Sequence, residues 1–222
     1  MTRHLDEELA QLKAQLLEMG GCAEKAIDEA TQALIRRDES RLQTVHDLEK
    51  KIDESHVAVD EACLNLLARQ SPMANDLRWV VAVLKINSDL ERIGDQAVNI
   101  AQNAKRYLAS EPIKPLVDLP RMGQVVQRMV RESLDALVRL DEKLAREVLL
   151  ADDEVDTLKD EIFRELIALM KVRPADIEQA MNLILIARNL ERVGDHATNI
   201  AEDVIFAASG RDIRHGRREE NA

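Results

Sequence analysis

Aromatic residues make up only 2% of this 222-residue chain, with one Trp and one Tyr. Sheets are built largely from aromatic and β-branched side chains, so strands have little to feed on. Ala, Leu, Glu, Asp, Lys and Arg dominate instead, a composition suited to helices packed by aliphatic side chains. Cysteine is equally scarce. Cys22 and Cys63 stand apart with neither CxxC spacing nor neighbouring His pairs, which excludes a disulfide framework and a zinc finger and fits two thiols in a reducing compartment, buried or half-buried. Long apolar runs are missing too. Trp79 to Leu84 and Leu183 to Ala187 fall far short of the roughly 18 to 20 residues that a membrane span requires. The N-terminus, Met-Thr-Arg-His-Leu-Asp-Glu-Glu, lacks the basic start and apolar stretch of a signal peptide. A cytoplasmic protein is therefore expected, one that visits the inner face of a membrane only through partners. Positive charge is also in deficit: the formal net charge is -11. Such a chain repels a phosphate backbone, and no Gly-rich phosphate cradle or RNP-like segment offsets that, so nucleic acid is not an expected partner.

What the chain does contain is a repeat. Leu90 to Ala101 reads LERIGDQAVNIA, and Leu190 to Ala201 reads LERVGDHATNIA, with nine of twelve positions identical. Upstream, Ile52-Asp53 answers Val155-Asp156, and Pro72 answers Pro174. Between the copies, Pro112 and Pro115, followed by Pro120, forbid a continuing helix. The expected division is a first repeat over 1–110, a proline-containing linker over 111–120 and a second repeat over 121–222. Helices are expected at about 5–37, 40–69, 73–108, 121–149, 152–171 and 175–208. Ser71-Pro72 reads as a helix start, and Gly210 as the end of the last helix.

Val83, Ile86, Leu90, Ile93, Ala97 and Ile100 alternate steps of three and four, as do Leu183, Ile186, Leu190, Val193, Ala197 and Ile200. Val45, Leu48, Ile52 and Val59 continue this heptad pattern, and so do Ala151, Val155, Leu158 and Ile162. The fold expected from this is all-α: two tandem, pseudo-symmetric three-helix bundles.

The acids fall into register on those wheels. Glu91 with Asp95, and Glu191 with Asp195, are four apart, on one face and about 6 Å from each other. They occupy heptad positions b and f, outside the a/d seam, unlike the inward ligands of a buried di-iron bundle. Glu49 with Asp53, and Asp152 with Asp156, repeat the spacing in the second helix of each half. If second and third helices are neighbours, four carboxylates per half converge on a shallow groove. Like charges at this spacing cost roughly 0.2 to 0.5 kcal/mol per pair. A cation would offset that, and oxygen ligands suit magnesium, manganese or ferric iron, with zinc also compatible. The other reading is a solvated face paired with Lys50, Lys51, Arg92 and Arg192.

Gly94 and Gly194 sit inside helices, where glycine costs up to about 1 kcal/mol relative to alanine. Close approach of a ligand or tight helix packing would each account for them. Asn99 and Asn199 extend the ladder of Glu, Asp and Asn as outer-shell, surface or capping groups. His196, beside Asp195, has only Gln96 as its counterpart.

The duplicated LERxGD segments, each with an upstream E/DxxxD, closely resemble the PhoU family over nearly the whole chain. Met19-Gly20-Gly21 and Asp212-Ile213-Arg214-His215 also look like family features. The resemblance implies paired three-helix bundles, metal sites on the E(D)xxxD motifs and dimerisation. It implies a negative regulator of phosphate uptake and of the starvation response, acting between a phosphate ABC transporter ATPase and its sensor histidine kinase. Carried across residue by residue, Glu49, Asp53, Glu91 and Asp95 form one metal site, and Asp152, Asp156, Glu191 and Asp195 the other. The metal expected there is a divalent or trivalent ion: iron, zinc, manganese or magnesium. No Ser/His/Asp or Cys/His set offers a nucleophile, so catalysis is not expected. The alternatives are a carboxylate-bridged metal enzyme, which would need these acids buried, and a metal-independent acidic scaffold for a basic partner.

Overall fold

A computed structural model describes residues 2–70 and 72–213. Six helices carry the chain: α1 (Thr2–Arg36), α2 (Ser40–Gln70), α3 (Asn75–Leu108), α4 (Asp118–Arg139), α5 (Glu142–Val172) and α6 (Ile177–Ser209). A 3-10 turn, Pro174–Asp176, precedes α6, and no strand occurs among the described residues. No described helix is long and apolar enough to cross a membrane.

The architecture is the expected pair of three-helix bundles. Helices α1, α2 and α3 pack together in one bundle and α4, α5 and α6 in the other. The heptad residues are the reason: Val45, Leu48, Ile52 and Val59 are buried, as are Ile86, Leu90, Ile93 and Ala97 and their counterparts Ile186, Leu190, Val193 and Ala197. The bundles join through α3 against α6 and α1 against α4, whereas α2 and α5 touch only helices of their own bundle. One continuous apolar core therefore runs through all six helices.

The α1/α4 contact is self-complementary. A Cβ on Gly20 would collide with Leu134, and one on Gly123 would come within 2.8 Å of Thr31 Cγ2. Gly20 and Gly123 are 103 residues apart, and so are Thr31 and Leu134, so the two contacts are related by the internal two-fold. Glycine lets these two helices approach closely at both points.

Helix boundaries differ from expectation in the second half. The stretch expected to be one helix over 121–149 is broken at Leu140 and Asp141, so the following helix starts at Glu142 and not near 152. Leu140 adopts a left-handed conformation with φ 50°, and Asp141 caps α5 by accepting from the backbone N–H of Lys143 at 3.0 Å and Leu144 at 3.1 Å. Arg37 and Asp38 do the same work 103 residues earlier: Arg37 has φ 53°, and Asp38 accepts from the Ser40 N–H at 3.1 Å.

Helix α4 begins at Asp118, which puts Pro120 in its first turn, where a missing N–H forfeits no helical bond. Pro72 lies before α3, whose first residue is Asn75, and the cap expected at Ser71 lies outside the described residues. Gly210 ends α6 as expected, at φ 74° with its N–H on the Phe206 carbonyl. The connection from α3 to α4 is pinned down. Arg37 donates to the carbonyls of Leu108 and Ser110, Arg173 donates to that of Ile113, and Lys114 pairs with Glu165.

Candidate functional site

Helices α2 and α3 are neighbours, and so are α5 and α6; the acidic pairs of each half accordingly meet along a groove on the outer side of its bundle. In the α2/α3 groove, Glu49 and Glu91 are half-buried while Asp53 and Asp95 are exposed. Burial pushes the Glu49 carboxyl above its ordinary range, and the charges of Asp53 and Asp95, with a smaller contribution from Glu91, push it the same way; His46 opposes them. All four acids of this half therefore share one patch. Among the described residues no ion pair reaches any of them.

The α5/α6 groove repeats the acids but not the charge balance. Asp156 and Asp195 are exposed, and Asp152 and Glu191 half-buried. Lys159 Nζ donates to Asp156 Oδ1 at 2.8 Å and to Glu191 Oε1 at 3.2 Å. The bond to Asp156, reinforced by Glu191, holds the ammonium well above the ordinary lysine range against the opposing effect of burial. The Asp195 residue as a whole is open to solvent. Burial of its crowded carboxyl is nonetheless the leading cause pushing it up, followed by Glu191 and Asp156, with His196 and Lys159 opposing. Lysine 159 is the partner that sequence reasoning missed. Lys50, an expected one, reaches Glu54 instead.

The helical glycines face these grooves' supporting helices. A Cβ on Gly94 would stand 3.1 Å from Ile52 Cδ1, and one on Gly194 would stand 3.5 Å from both Asp152 Oδ1 and Val155 Cγ1. Packing of α3 on α2 and of α6 on α5 thus occupies the space beside both glycines. His196 and Asn199 serve elsewhere. His196 Nδ1 lies 2.8 Å from Asp89 Oδ1 and Asn199 Nδ2 donates to the same oxygen at 3.2 Å, so both tie α6 to α3 across the bundle interface. Lys85 adds a pair to Asp203 at 3.0 Å and lies over the Phe206 ring. The Cys63 thiol, pushed up to about 12 by burial, is a packing group.

Whether the grooves fit a metal depends on their donors. The α2/α3 set offers carboxylate oxygen alone, the donor type of hard cations. The α5/α6 set has an ammonium already bound among its oxygens. As the side chains stand, no group of three or more His, Cys, Asp or Glu among the described residues is disposed to hold an ion.

A family model described as the PhoU domain matches this chain twice, over residues 16–104 and 119–204, and each match carries one acidic groove. The chain belongs to the PhoU family. It is 40% identical over 220 residues to the phosphate-specific transport system accessory protein PhoU homolog of Pseudomonas aeruginosa, covering 97% of this chain and 91% of that protein. This PhoU-family fold also matches the crystal structure of PhoU from Pseudomonas aeruginosa with a TM-score of 0.90 at 39% identity, covering 93% of this chain and 99% of that one. The phosphate transport system regulatory protein PhoU from Streptococcus pneumoniae superposes with a TM-score of 0.84 at 26% identity, over 94% and 98% of the two chains.

Proposed function

We propose that this protein is a non-enzymatic accessory of a phosphate transport system that lowers phosphate uptake and the phosphate-starvation response. It acts as an adaptor between the transporter's ATPase and a sensor histidine kinase at the inner face of the membrane, as a homodimer. The observation that carries this reading is the doubled PhoU domain in a chain that matches, over nearly its full length, proteins named as accessory to phosphate-specific transport. The acids favour an adaptor over a metal enzyme, because Asp53, Asp95, Asp156 and Asp195 all open to solvent and an open groove does not exclude water.

Deleting the gene tests it. Phosphate uptake and a starvation-responsive phosphatase reporter should both rise in phosphate-rich medium and return when the gene is restored. An unchanged reporter and uptake rate would overturn the regulatory role. Capture of the kinase and the ATPase on immobilised protein tests the adaptor step separately, and sedimentation tests the dimer.

We also propose that a hard cation binds Glu49, Asp53, Glu91 and Asp95, supported by the unpaired carboxylates of that groove and by the raised Glu49 carboxyl. Elemental analysis of the purified protein and of an Asp53→Asn, Asp95→Asn variant checks this: metal retained in the variant would sink the assignment. The family resemblance implies a second metal on Asp152, Asp156, Glu191 and Asp195, the groove in which Lys159 binds Asp156 and Glu191.

A further inference from the structure

We infer that Lys159 is a built-in counter-ion that takes the place of a metal in the α5/α6 groove, so that the two acidic grooves of this chain have diverged in what neutralises them. The inference rests on the reading that such grooves call for a cation. Its basis is a comparison of equivalent positions. Asp156 lies 103 residues after Asp53, and Lys159 lies 103 after His56. In the first half His56 pairs with none of the four groove acids; its Nε2 lies 3.7 Å from Asp60 Oδ2, and its carbonyl accepts from Asn87 Nδ2 at 2.9 Å. In the second half Lys159 turns into the groove, binds Asp156 and Glu191 on two different helices, and lies 4.0 Å from Asp160 Oδ1.

The chemistry of a lysine suits that place. An ammonium is a compact point charge with three donors on a flexible stem, and here it bridges carboxylates of α5 and α6 as a metal ion would. Lys159 and Glu191 keep only 30% and 25% of their side-chain exposure, so solvent screens this bond less than it does an open surface pair. An incoming divalent cation would have to displace the ammonium and leave it beside two positive charges. Asp160, beside the ammonium, stands where the first half has Val57, while Phe163 stands where the first half has Asp60, so the acid nearest this position has moved along with the lysine.

The test uses full-length protein with Mn2+ as the probe, free ion being followed by electron paramagnetic resonance. In an Asp53→Asn, Asp95→Asn background, which disables the first groove, no Mn2+ binding dependent on Asp156 is expected. Adding Lys159→Met should create such binding, Asp156→Asn should abolish it again, and Lys159→Arg should not create it. In chelator, Lys159→Met alone should lower Tm by about 2–4 °C, the shift that roughly 1 kcal/mol produces in a chain of this size, while Lys159→Arg leaves Tm unchanged. Asp156-dependent Mn2+ binding with Lys159 intact would overturn the inference, and so would a Lys159→Met variant that gains no site. Should the unmodified first groove bind no Mn2+ while Lys159→Met opens the second, the metal reading of the first groove fails and the counter-ion role of Lys159 stands.

Discussion

Gly94 and Gly194 occupy the same place in the two repeats but leave different room around them. At Gly194 an added Cβ meets its neighbours at 3.5 Å, ordinary contact, whereas at Gly94 it would press on Ile52 Cδ1 at 3.1 Å. Replacing a helical glycine by alanine gains up to about 1 kcal/mol from backbone entropy. Gly194→Ala should therefore raise Tm by about 2–4 °C in differential scanning calorimetry, and Gly94→Ala should gain less because Ile52 must move. Glu49 makes a prediction of the opposite kind. Its folded carboxyl titrates above the ordinary glutamate value of 4.5 because of burial, Asp53 and Asp95. Its favourable contribution is complete below that ordinary value and is lost as pH rises through the raised one. In chelator, Glu49→Gln should raise Tm at pH 7 and lose that advantage below pH 4.5, measured by circular dichroism across the range. At this scale the acids themselves were legible from their spacing. Lys159 was not, because a lysine three residues after an aspartate is unremarkable until a second helix brings Glu191 within its reach.

At the scale of elements, heptad periodicity predicts six helices, and four of the five junctions between them fall near where proline, glycine or the repeat places them. The α4/α5 junction does not. Apolar residues continue through Leu137, Leu140 and Leu144, so periodicity runs on across a corner that Leu140 and Asp141 make. Carrying Arg37-Asp38 across the repeat to Leu140-Asp141 would have found it, since both corners use a left-handed residue followed by a capping aspartate. Asp141→Ala removes two accepted N–H bonds from the start of α5. Loss of such a cap costs about 1 kcal/mol, so Tm should fall by about 2–4 °C, and Asp141→Asn, which keeps an accepting oxygen, should fall less. Thermal unfolding of the two variants side by side checks the ranking.

At the scale of the molecule, the bundles share their core. Helices α3 and α6 pack along their lengths, α1 and α4 interlock at Gly20 and Gly123, and the buried residues of both halves form one cluster. The two halves should unfold together. Urea denaturation followed by the fluorescence of Trp79, in the first half, and by helical circular dichroism from both halves should give coincident curves, and two separated transitions would show the bundles to be independent. The sequence by itself determined the helices, their pairing into two similar bundles and the alignment of acids on one face of each, because local periodicity and a repeated motif encode all of these. Only the tertiary structure decided that His196 and Asn199 join the bundles through Asp89, that the glycines make room for packing, and that one groove carries its own cation. Each of those depends on a residue from another helix arriving within hydrogen-bond or contact distance, and no spacing along a single helix records such an arrival.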